Sequence, residues 1–210
     1  MGAALARRLA ALYFGLALFG VGIALMVQAD LGLDPWDVLH QGISERTGIS
    51  LGVVVIAVAF LVTLLWIPLR ERPGLGTVSN VVLVGLALDA ALAVLPRPDP
   101  IVVRYLYLAG AIAGIAIATA LYIGAGFGPG PRDGLMTGLA RGGRSISLVR
   151  TCLELSVLVV GFLLGGTVGI GTVAYAVSIG PLVQVLLPRL ATAPYQPTAS
   201  PSLRKSVPAR

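Results

Sequence analysis

Histidine, lysine and cysteine each occur once in these 210 residues, as His40, Lys205 and Cys152, and charged residues make up only 11%. Each scarcity excludes something. A single cysteine leaves no internal disulfide; Cys152 stands in an apolar run and reads as a small core residue. With one histidine and no cysteine cluster, no metal site is expected. No HExxH, GxSxG or GxxxxGK motif occurs, so no enzyme class and no cofactor is indicated. A soluble domain carries about 25% charged residues, so a domain built for water is excluded as well. What is abundant is apolar: 57% of the chain, with a mean hydropathy of +0.93.

A helical span needs about 20 apolar residues to cross about 30 Å of hydrocarbon. The sequence offers six such stretches, at roughly 9–29, 50–69, 77–95, 101–124, 148–166 and 170–188. Each must be helical, because lipid gives a free backbone N–H or C=O no partner. Arg7-Arg8 before an apolar run ending Val27-Gln28-Ala29 has the outline of a signal peptide. The run is long for an h-region, however, and is read as the first span.

The net charge of +6 raises the question of nucleic acid, and the positions of the charges answer it. With the N-terminus in the cytoplasm, Arg7, Arg8, Arg70, Arg72, Arg132, Arg141, Arg144, Arg150, Arg189, Arg204, Lys205 and Arg210 all lie inside. Only Arg46, Arg97 and Arg104 lie outside. That is the bias that orients membrane proteins. The sequence therefore predicts both termini inside a bacterial cytoplasmic membrane, the lipid bilayer as the partner of its surface, and no nucleic acid. Residues 1–190 read as one transmembrane domain, and 191–210, proline-rich and basic, as a disordered cytoplasmic tail.

The chain repeats itself. At a shift of 96, Ala24-Leu25, Gly32, Pro35, Asp37, Leu39 and Gly42 fall on Ala120-Leu121, Gly128, Pro131, Asp133, Leu135 and Gly138. At a shift of 95, Gly74, Gly76-Thr77-Val78 and Gly85 fall on Gly169, Gly171-Thr172-Val173 and Gly180. Each unit (about 9–95 and 101–188) is a span, a polar phrase, a second span, a G-x-G-T turn and a third span. Three spans is an odd number, so the second copy must be upside down. The expected fold is all-α and polytopic, with six transmembrane helices in two inverted three-helix repeats. Many secondary transporters are built this way, with a site near the midplane between the halves.

Each polar phrase starts a short helix. Asp34 suits the N-cap and Pro35 the first helical position, with Asp37 in the first turn facing the positive helix end. Gly130, Pro131 and Asp133 repeat the pattern. A helix of about a dozen residues cannot span; it lies at the interface or dips in and returns. Two readings stand for Asp37 and Asp133: helix-start residues only, or two re-entrant helix starts meeting at a central site. The copies diverge at Trp36 against Arg132. Separately these read as an interfacial anchor and a positive-inside marker. Around an enclosed site they would supply an aromatic wall and a cation. His40, one turn after Asp37, reads either as a solvent-facing neighbour or as half of a proton-linked pair.

Two carboxylates fall inside spans, where such groups are costly and mark function by default. Glu154 follows Arg150 by four residues and can pair with it along one helix face. Asp89 has no basic partner in register, and its counterpart in the repeat is Gln184; a buried aspartate there could carry a proton. Gly161, Gly165 and Gly169 form a ridge for close helix packing, within the chain, between copies, or with a partner membrane protein.

The phrase G-x-x-PWD-x-L (Gly32 to Leu39), the turn Gly74-x-Gly76-Thr77, GPRDGL (Gly130 to Leu135) and GIGT (Gly169 to Thr172) together resemble the YczE/YyaS/YitT family of bacterial integral membrane proteins. The resemblance implies a multi-span protein of the bacterial cytoplasmic membrane and names no substrate. RDGLMTGLAR also resembles the opening of CDP-alcohol phosphotransferases, but its spacing differs and the later acids are missing. The expected function is a small transporter or permease-like protein for an unidentified small molecule or ion, with proton coupling as one mode. Its candidate residues are Asp37, Asp133, Asp89, Glu154, Arg132, Trp36 and His40. The alternative is a non-transporting accessory protein that supports a partner complex.

Overall fold

The computed structural model describes residues 2–141 and 143–193. Within them the chain forms α1 (Gly2–Ala29), α2 (Pro35–Thr47), α3 (Leu51–Leu64), α4 (Trp66–Leu69), α5 (Leu75–Val94), α6 (Ile101–Gly124), α7 (Pro131–Ala140), α8 (Ile146–Leu163) and α9 (Ile170–Leu190). Six helices are long and apolar enough to cross a membrane, α3 and α4 counting as one. α1 begins earlier than the apolar run from residue 9, because alanine, leucine and arginine are strong helix formers and continue the helix through Arg7 and Arg8. The break between α3 and α4 has a covalent cause: Pro68 has no N–H to give the carbonyl four residues back. Most of the expected tail, 194–210, lies outside the described residues. Residues 191–193 are not loose: the N–H groups of Thr192 and Ala193 both donate to Gly124 O at 2.9 Å.

α1 and α6 run antiparallel through the centre. Gly15 lies on Ala118 and Tyr122, Gly22 on Ile115, and Gly110 faces Leu25, so numbers rise on one helix as they fall on the other. Their ends are tied reciprocally. Arg8 Nε donates to Ala125 O (2.9 Å) and Arg104 Nε donates to Ala29 O (2.7 Å), each pair being the other shifted by 96. The G-x-G-T turns behave likewise. Gly76 N donates to Phe127 O (2.8 Å) and Gly171 N to Leu31 O (2.7 Å), so each turn grips the polar phrase of the other half. Thr77 and Thr172 accept from the N–H of Gly74 and Gly169, both at 3.2 Å, closing the first turns of α5 and α9. The phrases approach so closely because Gly32 (φ 106°) and Gly128 (φ 112°) are left-handed, a conformation open to glycine.

The short helices dock on the flanking spans. α2 lies against α8, where Gly161 abuts the backbone of Val38 and Leu39 and Gly166 abuts Val38. α7 lies on the α3–α4 span, where Gly134 makes room for the Trp66 ring and Trp66 Nε1 donates to Pro131 O at 3.1 Å. Gly161 and Gly169 of the glycine ridge are thus taken up by this chain's own backbone. Gly165 instead turns the chain at φ 108°. Cys152 is exposed on α8, contrary to the core position its apolar setting suggested, because the apolar surroundings of a membrane helix include lipid. Phe14, Phe60, Leu106, Phe162 and Val177 are exposed for the same reason.

The halves also differ in how their outer helices pack. α3 and α5 are pressed together at Gly52 and Gly85, where a Cβ on either would strike the other's carbonyl oxygen. α8 and α9, their counterparts, barely meet, and Gly180, the counterpart of Gly85, has no heavy atom within 4 Å of where a Cβ would stand. Gly85→Leu should therefore abolish the monodisperse peak in size-exclusion chromatography after mild detergent extraction, since overpacking costs about 1–3 kcal/mol even where side chains can yield. Gly180→Leu should leave that peak unchanged.

Candidate functional site

The site begins with the cap of α2. Asp34 Oδ1 accepts from the N–H of Trp36 (2.8 Å) and of Asp37 (3.0 Å), satisfying amides that a helix start leaves free. This fixes the first turn and sends Asp37 inward. One turn on, His40 Nδ1 lies 2.8 Å from Asp37 Oδ1. All three side chains are buried, 1%, 1% and 2% exposed. His40 is therefore not a solvent-facing neighbour but Asp37's partner. Burial, and then the charge of Arg132, push its pKa down, which favours the neutral ring, and toward an ionised Asp37 the Nδ1–H is the donor.

α7 brings the second copy to the same place. Arg132 reaches between the two carboxylates of the first phrase, 3.6 Å from Asp34 Oδ1 and 3.5 Å from Asp37 Oδ1. Its guanidinium also lies over the Trp36 ring, 5.2 Å from the centroid. The two positions where the copies diverge thus meet each other. Trp36 is 5% exposed, so it is neither at an interface nor an anchor there. Asp133 accepts from Tyr122 Oη at 2.9 Å. Among the described residues, three buried polar side-chain atoms find no partner: Asp34 Oδ2, Asp37 Oδ2 and Trp36 Nε1. All three belong to the first turn of α2. Burial first, and then the neighbouring Asp37 charge, push Asp34 up to about 6.

These groups border a cavity of about 300 Å³ lined by both short helices and by every long one. Phe19, Val55, Val62 and Ile179 form its apolar wall; Asp34, Trp36, His40, Arg132 and Asp133 form its polar floor. Glu154 also lines it, paired with Arg150 Nε at 2.8 Å. Asp37 stands behind this floor, joined through Arg132 and His40. Asp89 is elsewhere. Its carboxylate accepts from Ser50 Oγ (2.6 Å) and Gly52 N (2.7 Å), holding α5 to the start of α3. The expectation of Asp89 as a proton carrier thus meets a residue whose two oxygens are already engaged. Its counterpart Gln184 does line the cavity.

Asn80, Thr119, Tyr122 and Tyr175, none of them a candidate from the motifs, complete the polar lining. A usable signal existed, since Asn80 and Tyr175 are repeat equivalents and both are polar within a span. Asp34 was read only as a cap.

Six membrane-length helices packed around a buried, charged cavity define a multi-pass integral membrane protein. The chain belongs to DUF6198, a family of unknown function, whose model matches residues 6–188. It is 41% identical over 192 residues to an uncharacterized protein of Haemophilus influenzae, covering 91% of this chain and 88% of that one. Over 181 residues it is 29% identical to the uncharacterized membrane protein YczE of Bacillus subtilis, covering 84% of each. It is 28% identical over 182 residues to the B. subtilis protein YyaS, covering 83% of this chain and 89% of that one. No solved structure matches it.

Removing Arg132 strands two buried carboxyls, a change that costs about 3–5 kcal/mol for a buried pair. In Arg132→Gln both carboxyls rise further above the ordinary carboxylate pKa of about 4. The folded state then binds protons more tightly than the unfolded chain. Its stability is intact at low pH and is lost as pH rises through the folded values. The melting temperature of Arg132→Gln in detergent should therefore fall more steeply than wild type's between about pH 5 and about pH 8.

Proposed function

We propose that this protein is a small transporter of the permease type, working by alternating access around the cavity. The observation that carries the reading is the meeting of the two polar phrases: Arg132 of the second stands between Asp34 and Asp37 of the first, inside a pocket bordered by all the long helices. A protein that only held a partner would have no need to bury these charges, whose desolvation costs several kcal/mol each.

The reciprocal ties support reading the halves as inverted copies, since equivalent residues bond across the centre in exchanged roles and α1 runs antiparallel to α6. With N- and C-termini on the cytoplasmic side of a bacterial inner membrane, as the arginine distribution favours, α2 enters from outside and α7 from inside. They are re-entrant helices, each too short to cross. Such a pair of helix starts meeting at the midplane is the construction of a transport site. Proton coupling falls to the Asp34–Asp37 pair, while Asp89 serves as a helix tie.

Water access tests this directly. In a Cys152→Ser background, single cysteines along 34–42 and 130–138 are labelled with membrane-impermeant thiol reagents in right-side-out and inverted vesicles. Alternating access predicts that positions deep in each phrase react from both sides. If the first phrase labels only from outside and the second only from inside, at every position, the accessory reading takes its place.

A further inference from the structure

The charges around the cavity narrow the class of cargo. We propose that the cavity binds a hydrophobic primary or secondary amine as its ammonium ion, in exchange for one proton held on Asp34. This inference rests on the transporter reading and names its substrate class.

Four carboxylates meet two guanidiniums here: Asp34, Asp37, Asp133 and Glu154 against Arg132 and Arg150. The surplus is local. Arg150 is engaged by Glu154 on α8, and Asp133 of α7 takes the hydroxyl of Tyr122 on α6. That leaves Asp34 and Asp37 with Arg132 alone, at 3.5 and 3.6 Å. The other titratable groups facing the pair add no positive charge, since His40 is neutral and Tyr175 of α9 is a phenol. From α1, α3 and α5 the cavity receives only apolar side chains and Asn80. An anionic cargo would add to this surplus, whereas a monocation reduces it.

Hydrogen bonding points the same way. Asp34 Oδ2 and Asp37 Oδ2 are buried and, among the described residues, have no donor. An unmet oxygen of this kind costs about 1–3 kcal/mol, and more when charged. A single proton on Asp34 neutralises one of the two carboxylates that share Arg132. An ammonium group in the cavity, which Asp34 lines, supplies the same charge and an N–H donor to Asp34. Each brings one positive charge to one place, so the two exclude each other, and that exclusion couples cargo to proton. Exchange conserves charge at the site: one ammonium enters as one proton leaves to solution.

Size and entry fix the rest. About 300 Å³ is the lower end of small-molecule sites. Phe19, Val55, Val58, Val62, Ile179 and Val183 suit a hydrocarbon or aryl body. The cavity is bordered by α8 and α9, which barely meet, and a gap between two spans would give a hydrophobic amine a way in from lipid.

The test uses purified full-length protein in detergent, in weakly buffered solution with a pH indicator. It is titrated with 2-phenylethylamine and with its neutral and anionic analogues, 2-phenylethanol and phenylacetate. The amine should bind with about one proton released per molecule bound, and about tenfold or more tightly than either analogue. Asp34→Asn, which retains a capping oxygen, should abolish the release and weaken the amine about tenfold. Amine binding without proton release, tighter binding of phenylacetate, or no amine binding at all would each overturn the proposal. Cysteine labelling from both sides in that event leaves the transporter reading standing and removes only the cargo class; one-sided labelling removes both.

Discussion

A guanidinium reaching across the interface between the halves decides the charge of the cavity. Arg132 belongs to α7, yet its partners Asp34 and Asp37 belong to α2. Neither carboxylate could stay buried and ionised without it, and Arg132 could not be buried without them. The arrangement holds only while the start of α2 stays within reach of that side chain. The reciprocal grip of the G-x-G-T turns, Gly76 on Phe127 and Gly171 on Leu31, keeps it there. Backbone hydrogen bonds thus place the side chains whose electrostatics define the site. Those bonds exist because glycine lets the chains approach.

Much of this was legible in the sequence because local chemistry dictates it. Membrane thickness sets the spans, and Asp34-Pro35 and Gly130-Pro131 mark helix starts whatever their surroundings. Internal duplication showed that the phrases correspond. It could not show that they touch, since correspondence is a relation in sequence and contact is one in space. Trp36 and Arg132 each had a satisfactory explanation alone, as an interfacial aromatic and as a topology signal. Only the reach of Arg132 from α7 to the start of α2 makes them one unit, with the cation over the ring.

Asp89 and Asp34 exchanged importance for a related reason. An acid inside a span is conspicuous, and an acid at a helix start is ordinary. Asp89 nevertheless closes the start of α3, through Ser50 and Gly52, because α5 comes close enough there for its side chain to serve a neighbouring helix. Asp34 serves its own helix with one oxygen and, among the described residues, leaves the other buried without a donor. A side chain's two acceptors can have different employment, and residue type cannot disclose that.

Gly180 and Gly85 stand at matching places in the sequence and in unlike surroundings. Gly85 is glycine because α3 presses on it, while Gly180 is glycine with nothing against it. Two stretches of matching sequence are held here in two shapes, one shut and one ajar. Gly180 borders the cavity, so the room that the cavity occupies is the room that α8 leaves by standing off from α9.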